Sequence, residues 1–94
     1  MEISAHGAIR CQQRGIPNKI LNFIINYGKT VNTHNDKKSF VTRKIFNQLL
    51  RDKVHNKILL RYDKQIQSTA VIWNPKDKVI ITTFKITKRN NWSI

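Results

Sequence analysis

Acidic residues are scarce in this 94-residue sequence, and the five present are Glu2, Asp36, Asp52, Asp63 and Asp77. No two of them lie close together in the chain. Nucleases that use divalent metal ions hold these hard cations with clustered carboxylates. The sequence therefore argues against a two-metal nuclease.

Zinc ligands and phosphate-binding loops are scarce as well. The single cysteine is Cys11, and the three histidines, His6, His34 and His55, are scattered along the chain. Zinc sites need three or four such ligands at characteristic short spacings. The three glycines do not form a glycine-rich phosphate loop. We therefore expect neither a metal ion nor an organic cofactor.

Long apolar runs are missing. A helix that spans a membrane needs roughly 20 apolar residues, and no segment approaches that length. The first ten residues, MEISAHGAIR, lack the apolar core of a secretory signal peptide. A single cysteine cannot form an internal disulfide, so nothing requires an oxidising compartment. These features predict a cytoplasmic protein without membrane contact.

Positive charge is what the sequence has in excess. Eighteen lysines and arginines against five acidic residues give a formal net charge of +13. A small protein with such a charge attracts polyanions. The charge favours nucleic acid as the partner, and an acidic protein surface is a compatible second partner.

The residue pattern predicts one α+β domain over residues 1–94, with N-terminal helices packed on an antiparallel sheet. Ser4 and Gly15 suit the two ends of a helix through AHGAIRCQQR. Pro17 suits the first turn of a second helix, NKILNFIINY. The apolar stripe of that helix fits packing either within the domain or against a second copy, which leaves the oligomeric state open.

The rest of the chain reads as strands and further helices. KTVNTH and SFVT are predicted strands joined by a loop at residues 35–38, and Thr42 suits the N-cap of a third helix. Residues 56–66 fit either a helix or a buried strand, and we favour the helix. STAVIW and KVIITTFKI flank the turn NPKD and predict a hairpin at the centre of the sheet.

Strict alternation along the second strand of this hairpin predicts two faces. One face would carry Val79, Ile81, Thr83 and Lys85. The other would carry Ile80, Thr82, Phe84 and Ile86.

A histidine and two arginines recur at four-residue spacing near the N-terminus, as His6, Arg10 and Arg14. On a helix, successive members lie about 40° apart and share one slowly drifting face. Metal-free phosphate chemistry needs a proton shuttle near neutral pH and fixed positive charge, which histidine and arginine supply. The same spacing also arises on the solvated face of a helix in any basic protein, and spacing alone favours that simpler origin.

Other cations are better suited to contacting phosphate backbones than to chemistry. Arg43, Lys44 and Arg51 share the polar side of the third predicted helix. The C-terminal segment TKRNNWSI carries Lys88, Arg89 and Trp92, and the indole suits either base stacking or a place in the core.

Three segments together resemble a known family. SAHGAIRCQQRGIP resembles the opening H-x-x-x-R-x-x-x-R-G-I helix of small bacterial toxin domains in the barnase, EndoU, colicin and RelE-like (BECR) group of metal-independent ribonucleases. SFVTRKI resembles the strand that leads into a basic helix in that group, and VIITTFK resembles its last strand with an embedded threonine.

The resemblance implies a RelE-like fold, in which N-terminal helices pack on a twisted antiparallel sheet. It also implies RNA cleavage by attack of a 2′-hydroxyl on its own phosphate. His6 would transfer protons, while Arg10 and Arg14 would hold the phosphate and the transition state. Thr82 matches the strand threonine that could hydrogen-bond in the site.

Two further residues complete this candidate site. The same resemblance implies Arg43 as an added phosphate contact. Lys85 is our own extension of the set, chosen because it lies on the same hairpin as Thr82.

Three functions are compatible with the sequence. The favoured one is a metal-independent endoribonuclease toxin, acting on free or ribosome-associated RNA and neutralised by an acidic antitoxin or immunity protein. The second is a non-catalytic nucleic-acid-binding protein, such as a phage or plasmid regulator, whose cations only contact phosphate. The third is an inhibitor or adaptor that binds an acidic protein surface.

Overall fold

Five helices and five strands make up the described part of the chain. A computed structural model describes residues 2–86, apart from the side chains of His6 and Arg10. The elements in chain order are β1 (Glu2–Ile3), α1 (Ala5–Arg14), α2 (Asn18–Tyr27), β2 (Lys29–Asn32), β3 (Lys37–Phe40), α3 (Arg43–Arg51), α4 (Asn56–Arg61), α5 (Asp63–Ser68), β4 (Thr69–Asn74) and β5 (Val79–Lys85).

Helix α1 begins and ends where its capping residues predict. The Ser4 hydroxyl accepts a hydrogen bond from the Gly7 amide at 3.1 Å, which satisfies one of the unpaired donors of the first turn. Gly15 follows the helix in the left-handed conformation, with φ at 64°. Glycine adopts this conformation without the steric penalty of a Cβ atom. These two caps fix Arg14 as the last residue of α1.

Several predicted boundaries shift by a residue or two. Pro17 precedes α2 as its N-cap and does not lie inside the first turn. Lys37 and Lys38, predicted in a loop, pair with β4 as part of β3. Residues 56–66 are helical as predicted, but the helix is interrupted at Tyr62, where φ is −118°. The favoured helix is therefore confirmed, in two segments.

The strands form one five-stranded sheet in the order β1-β5-β4-β3-β2. The α+β class is confirmed, and β4 and β5 form the predicted inner hairpin. The sheet is mixed and not wholly antiparallel, because β1 pairs in parallel with β5 through Glu2 opposite Val79. A strand of two residues has no alternation of its own to predict it, and its place depends on the pairing edge that β5 offers.

A β-bulge at Ile81 changes which residues of β5 share a face. Ile72 lies opposite Thr82, whereas Trp73 lies opposite Ile80, so Ile81 is an extra residue without a cross-strand partner. An extra residue reverses the two-residue period beyond it. Ile80 therefore shares a face with Thr83 and Lys85, and Thr82 points to the other face. The predicted strict alternation was wrong on this point.

The helices cover the face of the sheet that carries Ile80 and Thr83. Ile80 and Val71 are buried in one core with apolar residues of the helices and of two connecting loops. The helical residues are Cys11, Ile20, Leu21, Phe23, Ile24, Phe46, Leu59 and Ile66, and the loop residues are Ile16 and Val41. Cys11 of α1 lies beside Thr83 of β5. This contact places the C-terminal half of α1 over β5, and it carries Arg14 towards the end of the sheet.

Candidate nucleic-acid interface

A cleft lies where the C-terminal ends of α1, α5 and β5 meet. Its volume is about 290 Å³, and it is lined by Arg14, Ile16, Gln65, Ser68, Thr69 and Lys85. The register of the hairpin builds one wall, because Thr69 at the start of β4 lies opposite Lys85 at the end of β5. The Ile86 amide extends this wall by donating to the Ser68 carbonyl at 2.7 Å.

Arg14 and Lys85 bring two positive charges into this cleft. Arg14 is half-buried at the end of α1, and its Nη1 atom is shielded from solvent. Lys85 is exposed. Of the described residues that line the cleft, none is acidic. Two cations in a partly enclosed space favour an anion, and the planar fork of arginine suits phosphate oxygens in particular.

Gln65 links α5 to the end of α1 beside these charges. Its Nε2 atom donates to the carbonyl oxygen of Gly15 at 3.2 Å, a contact between residues 50 positions apart. Its Oε1 atom is buried and has no hydrogen-bond partner among the described residues. Gln65 therefore ties α5 to the end of α1 at the wall of the cleft.

Cys11 lies behind the cleft and is not poised as a nucleophile. Burial raises the pKa of its thiol above the ordinary value of 9.0, while the neighbouring Thr83 hydroxyl and the charge of Arg14 act in the opposite direction. Nucleophilic cysteines are exposed and have a lowered pKa. Cys11 instead acts as a small core residue that joins α1 to β5.

The predicted site residues are only partly brought together. Arg14 and Lys85 share the cleft. His6 and Arg10 lie in α1, two turns and one turn before Arg14, and their side chains are outside the described part of the structure. Thr82 does not line the cleft, because it lies on the face of β5 opposite Thr83 and Lys85. Its hydroxyl lies 3.4 Å from the Thr83 carbonyl oxygen.

The other predicted nucleic-acid contacts fall into two groups. Arg43, Lys44 and Arg51 are exposed on α3, whose first turn contains no acidic residue. Phe46 on the opposite side of α3 is buried, so the helix presents its cations to solvent. The remaining predicted contacts, Lys88, Arg89 and Trp92, lie outside the described residues.

Sequence reasoning missed the contributions of Gln65, Ser68 and Thr69 to the cleft. These residues are adjacent to Arg14 and Lys85 only because the hairpin register and the packing of α1 bring them there. No local motif marks them. His55 is exposed, and its Nε2 atom lies 3.2 Å from the Tyr27 hydroxyl, a contact that no local motif indicates.

Comparisons with protein families, curated proteins and solved structures found no match to this chain. Among residues 2–86, no three histidine, cysteine, aspartate or glutamate residues are grouped so that they could hold a metal ion. In the same part of the chain, every helix is too short or too polar to cross a membrane. The fold and the cleft define a small α+β domain with a cationic cleft at one end of its sheet.

Proposed function

We propose that this protein is a metal-independent endoribonuclease toxin that binds a backbone phosphate of RNA between Arg14 and Lys85. The observation that carries the proposal is the convergence of these two cations, from distant parts of the chain, in one cleft without an acidic lining residue. Fixed positive charge of this kind stabilises the extra negative charge of a phosphoryl-transfer transition state.

The proposed reaction is an internal transesterification. The 2′-hydroxyl oxygen attacks the adjacent phosphorus atom and loses its proton, while the bond to the 5′ oxygen of the next nucleotide breaks and that oxygen gains a proton. The products are a 2′,3′-cyclic phosphate and a free 5′-hydroxyl. His6 is the proposed proton-transfer group, since imidazole exchanges protons near neutral pH. Arg10 and Arg14 are proposed to hold the phosphate oxygens.

The biological context is part of the same proposal. A RelE-like arrangement of the α+β fold and a cytoplasmic location would suit a toxin that cleaves free or ribosome-associated RNA. An acidic antitoxin or immunity protein would neutralise it by covering the cationic cleft, since a net charge of +13 favours such a partner.

The experiment that tests this proposal incubates the purified protein with total RNA and with ribosomes in excess EDTA. Cleavage that leaves cyclic phosphate ends, and that is lost in both His6→Ala and Arg14→Gln, is the expected result. His34→Ala is the matched control, because His34 is an exposed loop histidine between β2 and β3. If His6→Ala cleaves RNA as fast as the parent protein, the role of His6 is wrong.

A non-catalytic nucleic-acid-binding protein is the second candidate. The exposed cations of α3 favour it, because a solvated basic helix can bind phosphate backbones without any chemistry. RNA that is bound but recovered intact, both free and on ribosomes, would support this function and exclude the ribonuclease. Loss of affinity would then be similar for each Arg→Ala change and small for His6→Ala.

A further inference from the structure

Two cations lie at the ring of Tyr62, where α4 meets α5. The Nζ atom of Lys19 is 5.4 Å from the ring centroid, and the Cζ atom of Arg61 is 5.5 Å from it. Both distances suit cation–π attraction, which draws a positive charge to the face of an aromatic ring. Lys19 belongs to the first turn of α2, so the ring brings together charges from distant parts of the chain. Both cations are exposed and can therefore contact a ligand.

These two cations are close to the cleft because α5 runs beside the connection between α1 and α2. Gln65, about one helical turn after Tyr62, lines the cleft and donates to the Gly15 carbonyl oxygen at 3.2 Å. Lys19, four residues after Gly15, contacts the ring of Tyr62. The two contacts define a seam between α5 and residues 15–19. One helical turn advances about 5 Å along the axis, so the Lys19–Arg61 pair and the cleft are neighbours on this seam.

The charges at this end of the seam favour an anion. Two like charges held near each other repel, and an anion bound between them offsets the repulsion. Asp63 is the acidic residue of this turn, and its Oδ1 atom accepts from the Lys64 amide at 2.7 Å. Lys64 is itself exposed and adds a further positive charge. The cations around this turn therefore outnumber the acidic residue.

We propose that Lys19 and Arg61 form a second phosphate subsite, which binds a neighbouring backbone phosphate of the RNA strand held in the cleft. This inference rests on the proposed function only in taking a single strand of RNA as the ligand. Guanidinium and ammonium groups both bind phosphate oxygens. The contacts with the Tyr62 ring hold the two side chains near each other before the strand arrives, so less conformational freedom is lost on binding.

Binding of an RNA strand that cannot be cleaved tests this subsite. In 2′-O-methyl hexauridylate the attacking hydroxyl is blocked, so the strand stays intact while its dissociation constant is measured by fluorescence anisotropy. Removing both charges in the Lys19→Gln/Arg61→Gln double variant should weaken binding by about 10-fold, and each single substitution by about 3-fold. The slope of log K against log salt should fall by about 0.7 in the double variant, because one phosphate contact is lost.

A second double variant controls for the loss of net charge. Lys76→Gln/Lys78→Gln removes the same two charges from exposed positions in the turn between β4 and β5. This turn is at the end of the hairpin opposite to the cleft, because Lys85 and Thr69 are at the other end. Salt screens charges over such distances, so the control should change the affinity by less than about 2-fold. The two single variants keep the test valid if the Lys19→Gln/Arg61→Gln variant fails to fold.

The possible results separate this inference from the proposed function. Equal affinity of the parent protein and the folded Lys19→Gln/Arg61→Gln variant overturns the subsite, even if the protein cleaves RNA. Equal weakening by the control variant also overturns it, because it would show a diffuse effect of charge. Weakening that is confined to the Lys19 and Arg61 variants supports the subsite, whether or not RNA is cleaved in EDTA.

Discussion

The indole nitrogen of Trp73 on β4 donates a hydrogen bond to the hydroxyl of Ser39 on β3 at 2.9 Å. The register explains the contact, since Ser39 lies opposite Val71 and is therefore diagonal to Trp73 on the same face. The Ser39 hydroxyl is also 2.7 Å from the Thr30 hydroxyl on β2. One fully buried serine thus links three neighbouring strands.

We predict that Ser39→Ala lowers the free energy of unfolding by about 1–2 kcal/mol, because the indole N–H is left without its acceptor. Urea denaturation followed by circular dichroism measures the change. The same substitution in a Trp73→Phe background should cost less, since phenylalanine has no donor to leave unpaired. Equal costs in the two backgrounds would show that the hydrogen bond contributes no stability.

Gly28 and Gly15 should respond differently to alanine. A Cβ atom on Gly28 would lie 2.6 Å from the Phe40 carbonyl oxygen, where α2 passes against β3. A Cβ atom on Gly15 would meet nothing within 4 Å, and only the left-handed backbone opposes it. We expect Gly28→Ala to destabilise the protein by more than about 2 kcal/mol and Gly15→Ala by about 1 kcal/mol. Thermal unfolding of the two variants measures which substitution destabilises the protein more. A larger destabilisation by Gly15→Ala would contradict this prediction.

The salt dependence of RNA binding tests the two cations of the cleft. Each phosphate contact contributes about 0.7 to the slope of log K against log salt for a single strand. Arg14→Gln and Lys85→Gln should each reduce the slope by about that amount. Lys76→Gln removes the same charge from the exposed turn at the other end of the β4–β5 hairpin, and it should leave the slope almost unchanged. Equal reductions in all three variants would indicate a diffuse electrostatic effect without a cleft.

The buried thiol of Cys11 should make stability fall at alkaline pH. Burial raises its pKa in the folded protein above the ordinary value of 9.0. A raised pKa contributes stability that is complete below the unfolded value and is lost as pH rises through the folded one. Cys11→Val, which has no ionisable group, should therefore lose less stability than the parent protein between about pH 8 and pH 10. Urea titrations at several pH values measure the difference, and parallel losses would show that Cys11 ionises equally in both states.

Much of the fold follows from local chemistry that a sequence shows directly. The caps Ser4 and Gly15 define α1, and Thr42 caps α3 by accepting from the Ile45 amide at 3.1 Å. Asn74 closes the hairpin turn by accepting from the amides of Lys76 and Asp77. Each of these interactions joins residues within four positions of each other, so the sequence alone predicts them.

The candidate site was less predictable. The spacing of His6, Arg10 and Arg14 depends on the helix alone, and it pointed to Arg14 before any tertiary contact was known. Thr82 was grouped with these residues on the evidence of resemblance, although strict alternation along β5 already placed it on the face opposite Lys85. The bulge at Ile81 separates Thr82 from Ile80 as well, and no sequence period reveals that extra residue.

The sequence by itself determined the α+β class, both ends of α1, the start of α3, the central hairpin and the excess of positive charge, because these depend on neighbouring residues or on composition. Only the tertiary structure decided the parallel pairing of β1, the faces of β5 and the meeting of Arg14, Gln65 and Lys85 in one cleft. These features depend on which strand edges pair and on how α1 packs over the sheet. Such contacts join residues far apart in the chain, and no local pattern encodes them.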